Sequence, residues 1–310
     1  MSSTLLVRNL KKIYPGEPPH TAVNGISFQL KEAEILGLLG SNGAGKTTTI
    51  QMLLSTLTPT SGTILYFGKE LSLHRSEILK HVVFASTYIS LPWLLTARQN
   101  LEVFGRLYGV PKKELSLRIK ELMERFGILS KINSPISQLS AGQITRLMLV
   151  KAFMVKPKVV LLDEPTASLD PDIAQDVCQF VLEQRETHGI SILYTSHNMH
   201  EVSQVCDRVL FLDKGNIIAD GHPDHLARSV SSSRIQLQVG NDVTHIENIA
   251  KKLNMPFKSS LSTIELGIEE PEIPHLLSEL ARAGIVYTSI RIIQPTLEDY
   301  FLHHTKKRNQ

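Results

Sequence analysis

The chain has 310 residues, of which 42% are hydrophobic and 20% are charged, with a formal net charge of +3. This length favours two domains, and the composition supplies enough apolar side chain for folded cores and excludes wholesale disorder. Because the charge is nearly balanced, a large nucleic-acid-binding surface is excluded and no nucleic-acid partner is expected.

The cysteines and the apolar runs bear on the compartment of the protein. Cys178 and Cys206 form no CxxC pair, so they are expected to be packing residues in a reducing compartment. The first residues lack the basic start and apolar core of a secretory signal. No run of about 18 apolar residues occurs, so a partner is expected to supply any membrane-spanning helices.

The N-terminal region alternates short apolar runs with turn residues. This pattern predicts strands at 5–7 and 25–30, separated by the proline-rich segment 14–19. Tyr14 lies at the end of the first predicted strand. Its ring suits stacking on a nucleotide base, and it is equally suited to an ordinary half-buried position at a strand end.

Residues 40–47 fit the phosphate-loop pattern of Gly, four residues, Gly, Lys, and Ser or Thr. The apolar segment 35–39 predicts a buried strand before the loop, and 48–54 predicts a helix after it. The glycines let backbone N–H groups turn towards phosphate oxygens, and the helix start adds its positive dipole end. In this setting Lys46 reaches the β- and γ-phosphates, and the Thr47 hydroxyl group binds Mg²⁺. The predicted phosphate-binding residues are Gly40, Ser41, Asn42, Gly43, Ala44, Gly45, Lys46, Thr47 and Thr48.

A predominantly helical block follows at about 88–156. Thr96 and Gln99 match a capping box, which predicts a helix through Tyr108, and a second helix is predicted at 112–126. The block is inserted between predicted strands, so it is a candidate for contacting a partner. In the apolar cluster 91–95, core packing is favoured for Trp93 over an exposed contact patch.

The end of this block contains a second predicted anion site. Ser140 is a favoured N-cap residue, and a helix is predicted over 144–155. The small residues Ala141 and Gly142 leave backbone amides accessible at its start.

Two apolar strands end in polar residues. Residues 159–162 predict a buried strand whose tip carries Asp163 and Glu164. Asp163 is suited to hold Mg²⁺ directly or through water, and Glu164 to polarise or deprotonate an attacking water. The strand predicted at 190–196 ends at His197, which can donate a hydrogen bond to a γ-phosphate.

The composition changes near 221–223 and again at 229–233, which predicts a boundary between domains at 1–228 and 229–310. The second domain is expected to be a small α+β unit that lacks a catalytic constellation. Its predicted strands and helices are 234–239, 243–253, 262–268, 273–283, 285–293 and 297–304.

Over about residues 4–222, these motifs together resemble the ATP-binding subunit of an ABC transporter. The segment 294–301 resembles the C-terminal extension of ABC-2-type exporter ATPases, which include drug-resistance and polysaccharide exporters. The resemblance rests on the ordered set Tyr14, 40–47, 139–143, 159–164, 168–170 and His197.

The resemblance implies an α/β phosphate-loop NTPase core with an antiparallel β subdomain, an inserted helical subdomain at about 88–156, and a small C-terminal α+β domain. It implies an ATPase with ATP and Mg²⁺ as cofactors, in which Lys46, Glu164 and His197 are catalytic and Thr47 and Asp163 bind the metal. Two copies would dimerise head to tail, with each ATP between one phosphate loop and the helix start of the other copy, formed by Ser140, Ala141, Gly142 and Gln143. Asp170 would contact the other copy across the dimer interface.

Dimer closure would drive export through separate membrane permease subunits, with the ATPase cytoplasmic and peripheral on the cytoplasmic face of the membrane. Two alternatives remain open: a soluble ABC ATPase that is not coupled to transport, and a weakly hydrolysing ATP-binding module.

Two departures from the family pattern carry expectations. Ala141 replaces a signature glycine, which would cost on the order of 1 kcal/mol if the position requires positive φ. The family's glutamine after the strand at 82–84 is missing, and we hypothesise that Ser86 or Thr87 replaces it. That change predicts weaker Mg²⁺ dependence or slower turnover.

Overall fold

The computed structural model describes residues 3–86, 91–229, 233–239 and 243–306. The chain divides into two compact units, 1–222 and 223–310. The helix Pro223–Arg228 therefore belongs to the second unit, although the sequence boundary was placed after it. Ala227 of this helix is buried, and the helix packs with the C-terminal helix of the same unit.

The first unit alternates strands and helices. Its elements are β1 (Ser3–Tyr14), β2 (His20–Lys31), β3 (Ile35–Gly40), α1 (Lys46–Leu53), β4 (Ser61–Tyr66), β5 (Lys69–Glu70), α2 (Leu71–Ile78), β6 (Val82–Ser86), α3 (Ala97–Leu107), α4 (Lys112–Arg125), α5 (Ala141–Phe153), β7 (Val159–Asp163), α6 (Pro171–His188), β8 (Ser191–Thr195), α7 (Met199–Val205), β9 (Arg208–Asp213) and β10 (Asn216–Gly221).

The central sheet has the strand order β10-β9-β3-β8-β7-β6. The pairs β6–β7, β7–β8, β8–β3 and β3–β9 are parallel, and β9–β10 is an antiparallel hairpin. Since parallel strands place their carboxyl ends at one edge, the loops after β3, β6, β7 and β8 meet there. The sheet thereby gathers the polar strand ends that were predicted separately.

A second, antiparallel sheet has the order β2-β1-β4-β5. The inward side chains of its strands pack with those of β3 and α1 in one hydrophobic core, as Leu5, Leu30, Leu38 and Met52 illustrate. This sheet and the inserted helices confirm the predicted α/β fold with an antiparallel β subdomain. Strands β1 and β2 extend beyond the predicted runs because their outer halves continue the antiparallel pairing, with register shifts, while exposing polar side chains.

Helix α3 begins at the predicted capping box. The Thr96 side chain accepts from the Gln99 backbone, and the Gln99 side chain accepts from the Thr96 backbone. The prediction that Trp93 packs in the core is wrong, because Trp93 is 55% exposed and the neighbouring Leu94 is 91% exposed. The segment before α3 therefore presents an apolar surface patch. None of the described helices is long and apolar enough to cross a membrane.

Lys151 on α5 is a buried cation whose replacement should stabilise the protein. It is 7% exposed, with Nζ 4.8 Å from the centroid of the Phe104 ring, and burial lowers its pKa from 10.5 to about 8. Below pH 8 both folded and unfolded chains carry the charge, and the folded chain bears the desolvation cost. Stability should therefore rise as the pH increases from about 8 to 10.5, where only the unfolded chain remains protonated.

We expect Lys151→Met to raise the free energy of unfolding at pH 7 by on the order of 1–3 kcal/mol. It should also remove the increase in stability between about pH 8 and 10.5 that the wild type shows. Thermal melts of both proteins between pH 7 and 10 measure the difference, with the exposed Lys120→Met as control. Parallel pH curves for wild type and Lys151→Met would contradict the prediction.

The second unit is a small α+β unit, as expected. Its elements are α8 (Pro223–Arg228), β11 (Ser233–Val239), α9 (Val243–Lys252), β12 (Phe257–Ser259), β13 (Thr263–Ile268), α10 (Ile273–Arg282), β14 (Tyr287–Ile293) and α11 (Leu297–Lys306). Its sheet has the order β12-β13-β11-β14, and its core includes Ile235, Leu237 and Leu266 of the sheet with Leu276 and Leu280 of α10.

Candidate functional site

A cavity of about 710 Å³ opens at the carboxyl edge of the central sheet. The loop after β3 forms its floor, and the tips of β6, β7 and β8 contribute to its wall. The cavity brings together predicted site residues that come from separate motifs along the sequence. These are Tyr14, Ser41, Asn42, Gly43, Ala44, Gly45, Lys46, Thr47, Thr48, Asp163, Glu164 and His197.

Two glycines fix the shape of the loop that begins the site. Gly40 has φ 150°, and a Cβ atom there would lie 2.3 Å from the carbonyl oxygen of Leu212. Gly45, the N-cap of α1, has φ 106°, and a Cβ atom would lie 2.5 Å from the carbonyl oxygen of Ala22. Both positions therefore require glycine for backbone conformation and for space. The first amides of α1 have no partner within the helix, which suits them to bind an anion.

Lys46 lies folded back over this loop. Its Nζ donates hydrogen bonds to the carbonyl oxygens of Gly40 at 2.7 Å and Ser41 at 3.2 Å. Burial lowers its pKa, and the charges of Glu164 and Asp163 oppose that shift. An ammonium group beside a loop of unpaired amides makes the floor of the cavity suited to a polyphosphate.

Both carboxylate oxygens of Asp163 are held by hydroxyl groups from neighbouring strands. Thr195 Oγ1 donates to Oδ1 at 2.7 Å, and Ser86 Oγ donates to Oδ2 at 3.2 Å. The parallel register places these three residues side by side. Thr195 was not selected from the sequence; its position at a strand tip was the available signal. Of the two residues hypothesised to replace the glutamine, Ser86 lines the cavity and Thr87 lies outside the described residues.

Glu164 and His197 form a pair at the end of the cavity. His197 Nε2 lies 3.3 Å from Glu164 Oε1, and the His197 backbone N–H donates to Oε2 at 3.3 Å. Glu164 has φ 54°, a left-handed conformation that is unusual for its residue type. Burial is the main cause that raises the pKa of Glu164, and the charge of His197 opposes it. A carboxylate with a raised pKa is a stronger proton acceptor.

Tyr14 also lines the cavity, where it pairs with His20 of the neighbouring strand. The ammonium group of Lys12 lies 5.4 Å from the centroid of the Tyr14 ring. His20 is not among the predicted site residues. The available signal was the proline-rich segment between the first two predicted strands, since a chain that reverses there brings His20 opposite Tyr14. The two rings give the cavity aromatic surface suited to a planar base.

The second predicted anion site does not reach this cavity. Ser140 caps α5, where its Oγ accepts from the backbone N–H of Gln143 at 3.3 Å, and Gln143 Oε1 accepts from the Ser140 N–H at 3.1 Å. Ser140, Ala141 and Asp170 are exposed, and among the described residues neither this helix start nor Asp170 lines the cavity. A Cβ atom at Gly142 would lie 3.2 Å from the Ser168 carbonyl oxygen, so the loop at 168–170 contacts the helix start.

The backbone strain expected at Ala141, if that position required positive φ, does not arise. Ala141 is the first residue of α5 and is not among the residues with positive φ. Its side chain therefore introduces no left-handed strain at this helix start.

Comparisons with known proteins identify relatives of this chain. A family model described as ABC transporter matches residues 23–167. The linearmycin resistance ATP-binding protein LnrL of Bacillus subtilis is 33% identical over 308 residues, covering 97% of this chain and 98% of that protein. The Nod factor export ATP-binding protein I of Ralstonia nicotianae is 32% identical, covering 97% of this chain and 93% of that protein.

The fold also matches solved structures. A dimeric ATP-binding cassette in a post-hydrolysis state, bound to ADP and phosphate, superposes with a TM-score of 0.66. The match covers 70% of this chain and 98% of that cassette at 22% sequence identity, which supports a shared fold.

Proposed function

This chain belongs to the ABC transporter family of ATP-binding proteins, and from that membership we propose that it hydrolyses ATP to drive export through separate membrane permease subunits. The observation that carries the proposal is one cavity lined together by loop residues 41–47, Asp163, Glu164 and His197. The relative named for Nod factor export aligns with 97% of this chain, so the likeness includes the second unit.

ATP binds with its phosphates on the loop 40–47 and its base towards Tyr14. Unpaired amides at the start of α1 and the ammonium group of Lys46 compensate the phosphate charge. To receive the γ-phosphate, the Lys46 side chain exchanges its two carbonyl partners for phosphate oxygens. Tyr14 and His20 then provide the aromatic surface for the adenine ring.

The donor set in the cavity fits Mg²⁺. Thr47 contributes a hydroxyl group and Asp163 a carboxylate, and both are oxygen ligands of the kind that this ion prefers. The hydrogen bonds from Ser86 and Thr195 fix the Asp163 carboxylate in one orientation. When bound, Mg²⁺ would neutralise charge on the β- and γ-phosphates.

Removing the Ser86 hydroxyl group is expected to weaken the metal site selectively. We expect Ser86→Ala to raise the Mg²⁺ concentration for half-maximal ATP hydrolysis by about tenfold, the range typical for loss of a partner that orients a metal ligand. The Asp163 carboxylate would lose one of its two hydroxyl donors. Measuring ATPase rate against Mg²⁺ concentration tests this expectation. Ser86→Thr retains a hydroxyl group and is the control. Identical Mg²⁺ curves for Ser86→Ala and wild type would exclude a role of the Ser86 hydroxyl group in orienting Asp163.

Hydrolysis requires a water molecule aligned with the γ-phosphate. Glu164 orients this water and accepts its proton, for which its raised pKa suits it. His197, whose side chain is 60% exposed, donates a hydrogen bond to the γ-phosphate. The 3.3 Å contact between His197 Nε2 and Glu164 Oε1 supports this pairing of roles.

A second copy of the chain completes the site. Ser140 and Ala141 expose the start of α5 away from the cavity, and Asp170 is exposed beside it. In a head-to-tail dimer, this helix start faces the γ-phosphate in the partner's cavity and adds a second set of unpaired amides. ATP then bridges two positive helix ends, and its hydrolysis removes the bridge.

We assign the first unit as the ABC ATP-binding domain and the second as an accessory domain, working on the cytoplasmic face of the membrane. Helix α3 and the segment before it present Trp93, Leu94, Val103 and Leu107, each more than half exposed, as a surface for a permease subunit.

Purification of the tagged chain from detergent-solubilised membranes of its source cells tests whether it binds a membrane permease subunit. We expect a protein with several spanning helices to co-purify, and Leu94→Ser with Leu107→Ser to abolish its recovery without lowering the basal ATPase rate. Recovery of an active ATPase free of any membrane protein would instead favour an ATPase that is not coupled to transport.

A further inference from the structure

One buried carboxylate oxygen joins three segments behind the candidate site. Glu201 lies in the first turn of α7 and is 7% exposed. Its Oε2 accepts hydrogen bonds from Thr166 Oγ1 at 2.8 Å, Ser196 Oγ at 3.0 Å and the Tyr194 hydroxyl group at 3.2 Å. Such charge-assisted hydrogen bonds are stronger than neutral ones and are further strengthened by burial.

Two of these hydroxyl groups belong to the loops that carry the reacting groups. Thr166 follows Glu164 by two positions, and its carbonyl oxygen accepts from the Leu169 N–H at 3.1 Å, which forms the turn towards Asp170. Ser196 directly precedes His197 in the sequence. Glu201 is therefore attached to the segment of each reacting residue.

The geometry of the reacting residues requires such support. Glu164 has φ 54°, and a strained conformation of this kind costs on the order of 1–3 kcal/mol. It persists only where the surrounding structure holds it. The His197 side chain is 60% exposed, so packing alone does not fix its distance to the Glu164 carboxylate.

We propose that Glu201 is a positioning residue for ATP hydrolysis, whose buried carboxylate fixes the loop of Glu164 relative to the loop of His197. This inference rests on the function proposed above. Among the described residues, Glu201 does not line the 710 Å³ cavity; it lines an adjoining cavity of about 490 Å³, which Glu164 and His197 also line. Its effect is therefore exerted through the loops and not through contact with ATP.

The principal test is Glu201→Gln, which keeps the size of the side chain and removes its charge. We expect kcat for ATP hydrolysis to fall at least about tenfold with KM for ATP unchanged within about twofold, since the phosphate loop and Tyr14 are untouched. Thr166→Val, which removes one donor, should lower kcat in the same way. Thr166→Ser restores that hydroxyl group and should recover a rate near that of wild type.

Tyr194→Phe separates positioning from stability. It removes the third donor, which comes from the interior of β8 and not from a loop. We expect it to lower the melting temperature while kcat stays within about twofold of wild type. Unchanged kcat in both Glu201→Gln and Thr166→Val would overturn the inference, as would an equal loss of kcat in Tyr194→Phe.

Failure of the proposed function would be recognised separately. If wild type hydrolyses ATP and Glu164→Gln abolishes hydrolysis, a silent Glu201→Gln variant overturns the positioning role alone. If the wild-type chain binds ATP but does not hydrolyse it, both proposals are overturned. If Glu201→Gln fails to fold, the Thr166→Val and Thr166→Ser pair decides the question by the same comparison of kcat.

Discussion

Glu164→Gln is expected to bind ATP with wild-type affinity and to hydrolyse it about a hundredfold to ten-thousandfold more slowly. The amide has nearly the size of the carboxylate but cannot accept a proton from water. Its oxygen can still accept the hydrogen bond from the His197 backbone, so the loop geometry is preserved. Phosphate release and the binding of a fluorescent ATP analogue, measured on the same preparation, separate catalysis from binding.

The matched control is Glu186→Gln, the same exchange on an exposed part of α6. It should leave both quantities unchanged. A wild-type rate no faster than that of Glu164→Gln would contradict the role of Glu164 as the base. That outcome would instead favour the weakly hydrolysing ATP-binding module, an alternative raised by the missing glutamine near Ser86.

Gly45→Ala is expected to weaken ATP binding strongly. The position has φ 106°, and the new Cβ atom would lie 2.5 Å from the carbonyl oxygen of Ala22, which cannot move without displacing β2. The loop must therefore shift, and with it Lys46 and Thr47. We expect the affinity for ATP to fall about tenfold to a hundredfold, because a strained backbone of this kind costs about 1–3 kcal/mol. Isothermal titration with ATP measures it.

Gly109→Ala provides the control for backbone strain alone. Gly109 has φ 75°, but a Cβ atom there would meet nothing within 4 Å, and the residue does not line the cavity. This variant should lose some thermal stability and retain wild-type affinity for ATP. If Gly45→Ala also bound ATP as wild type does, the loop 40–47 would not be the phosphate site.

The local patterns in the sequence predicted most of the candidate site. The loop 40–47 and the acidic tip at 163–164 each depend on a few adjacent residues, so a short window contains the information. The same is true of the capping box that starts α3 and of the N-cap residue Ser140 that starts α5, both of which the structure confirms. The convergence of these segments also followed from the rule that parallel strands end at one edge.

What the sequence did not predict depends on contacts between distant segments. The hydroxyl donors Ser86 and Thr195 reach Asp163 through strand register, which no local window contains. Trp93 is apolar but exposed, because exposure depends on what the surrounding helices leave uncovered. Helix α6 was overlooked although Pro171 at its first position was an available start signal.

The proposed mechanism requires that ATP is held between two copies of the chain. Light scattering after size exclusion tests it on the Glu164→Gln variant with and without ATP. We predict a monomer without nucleotide and a dimer with ATP. Adding Ser140→Arg should leave ATP binding intact and keep the protein monomeric, since the bulky cation occupies the exposed helix start. An ATP-bound Glu164→Gln variant that stays monomeric, or a dimer that survives Ser140→Arg, would contradict the account.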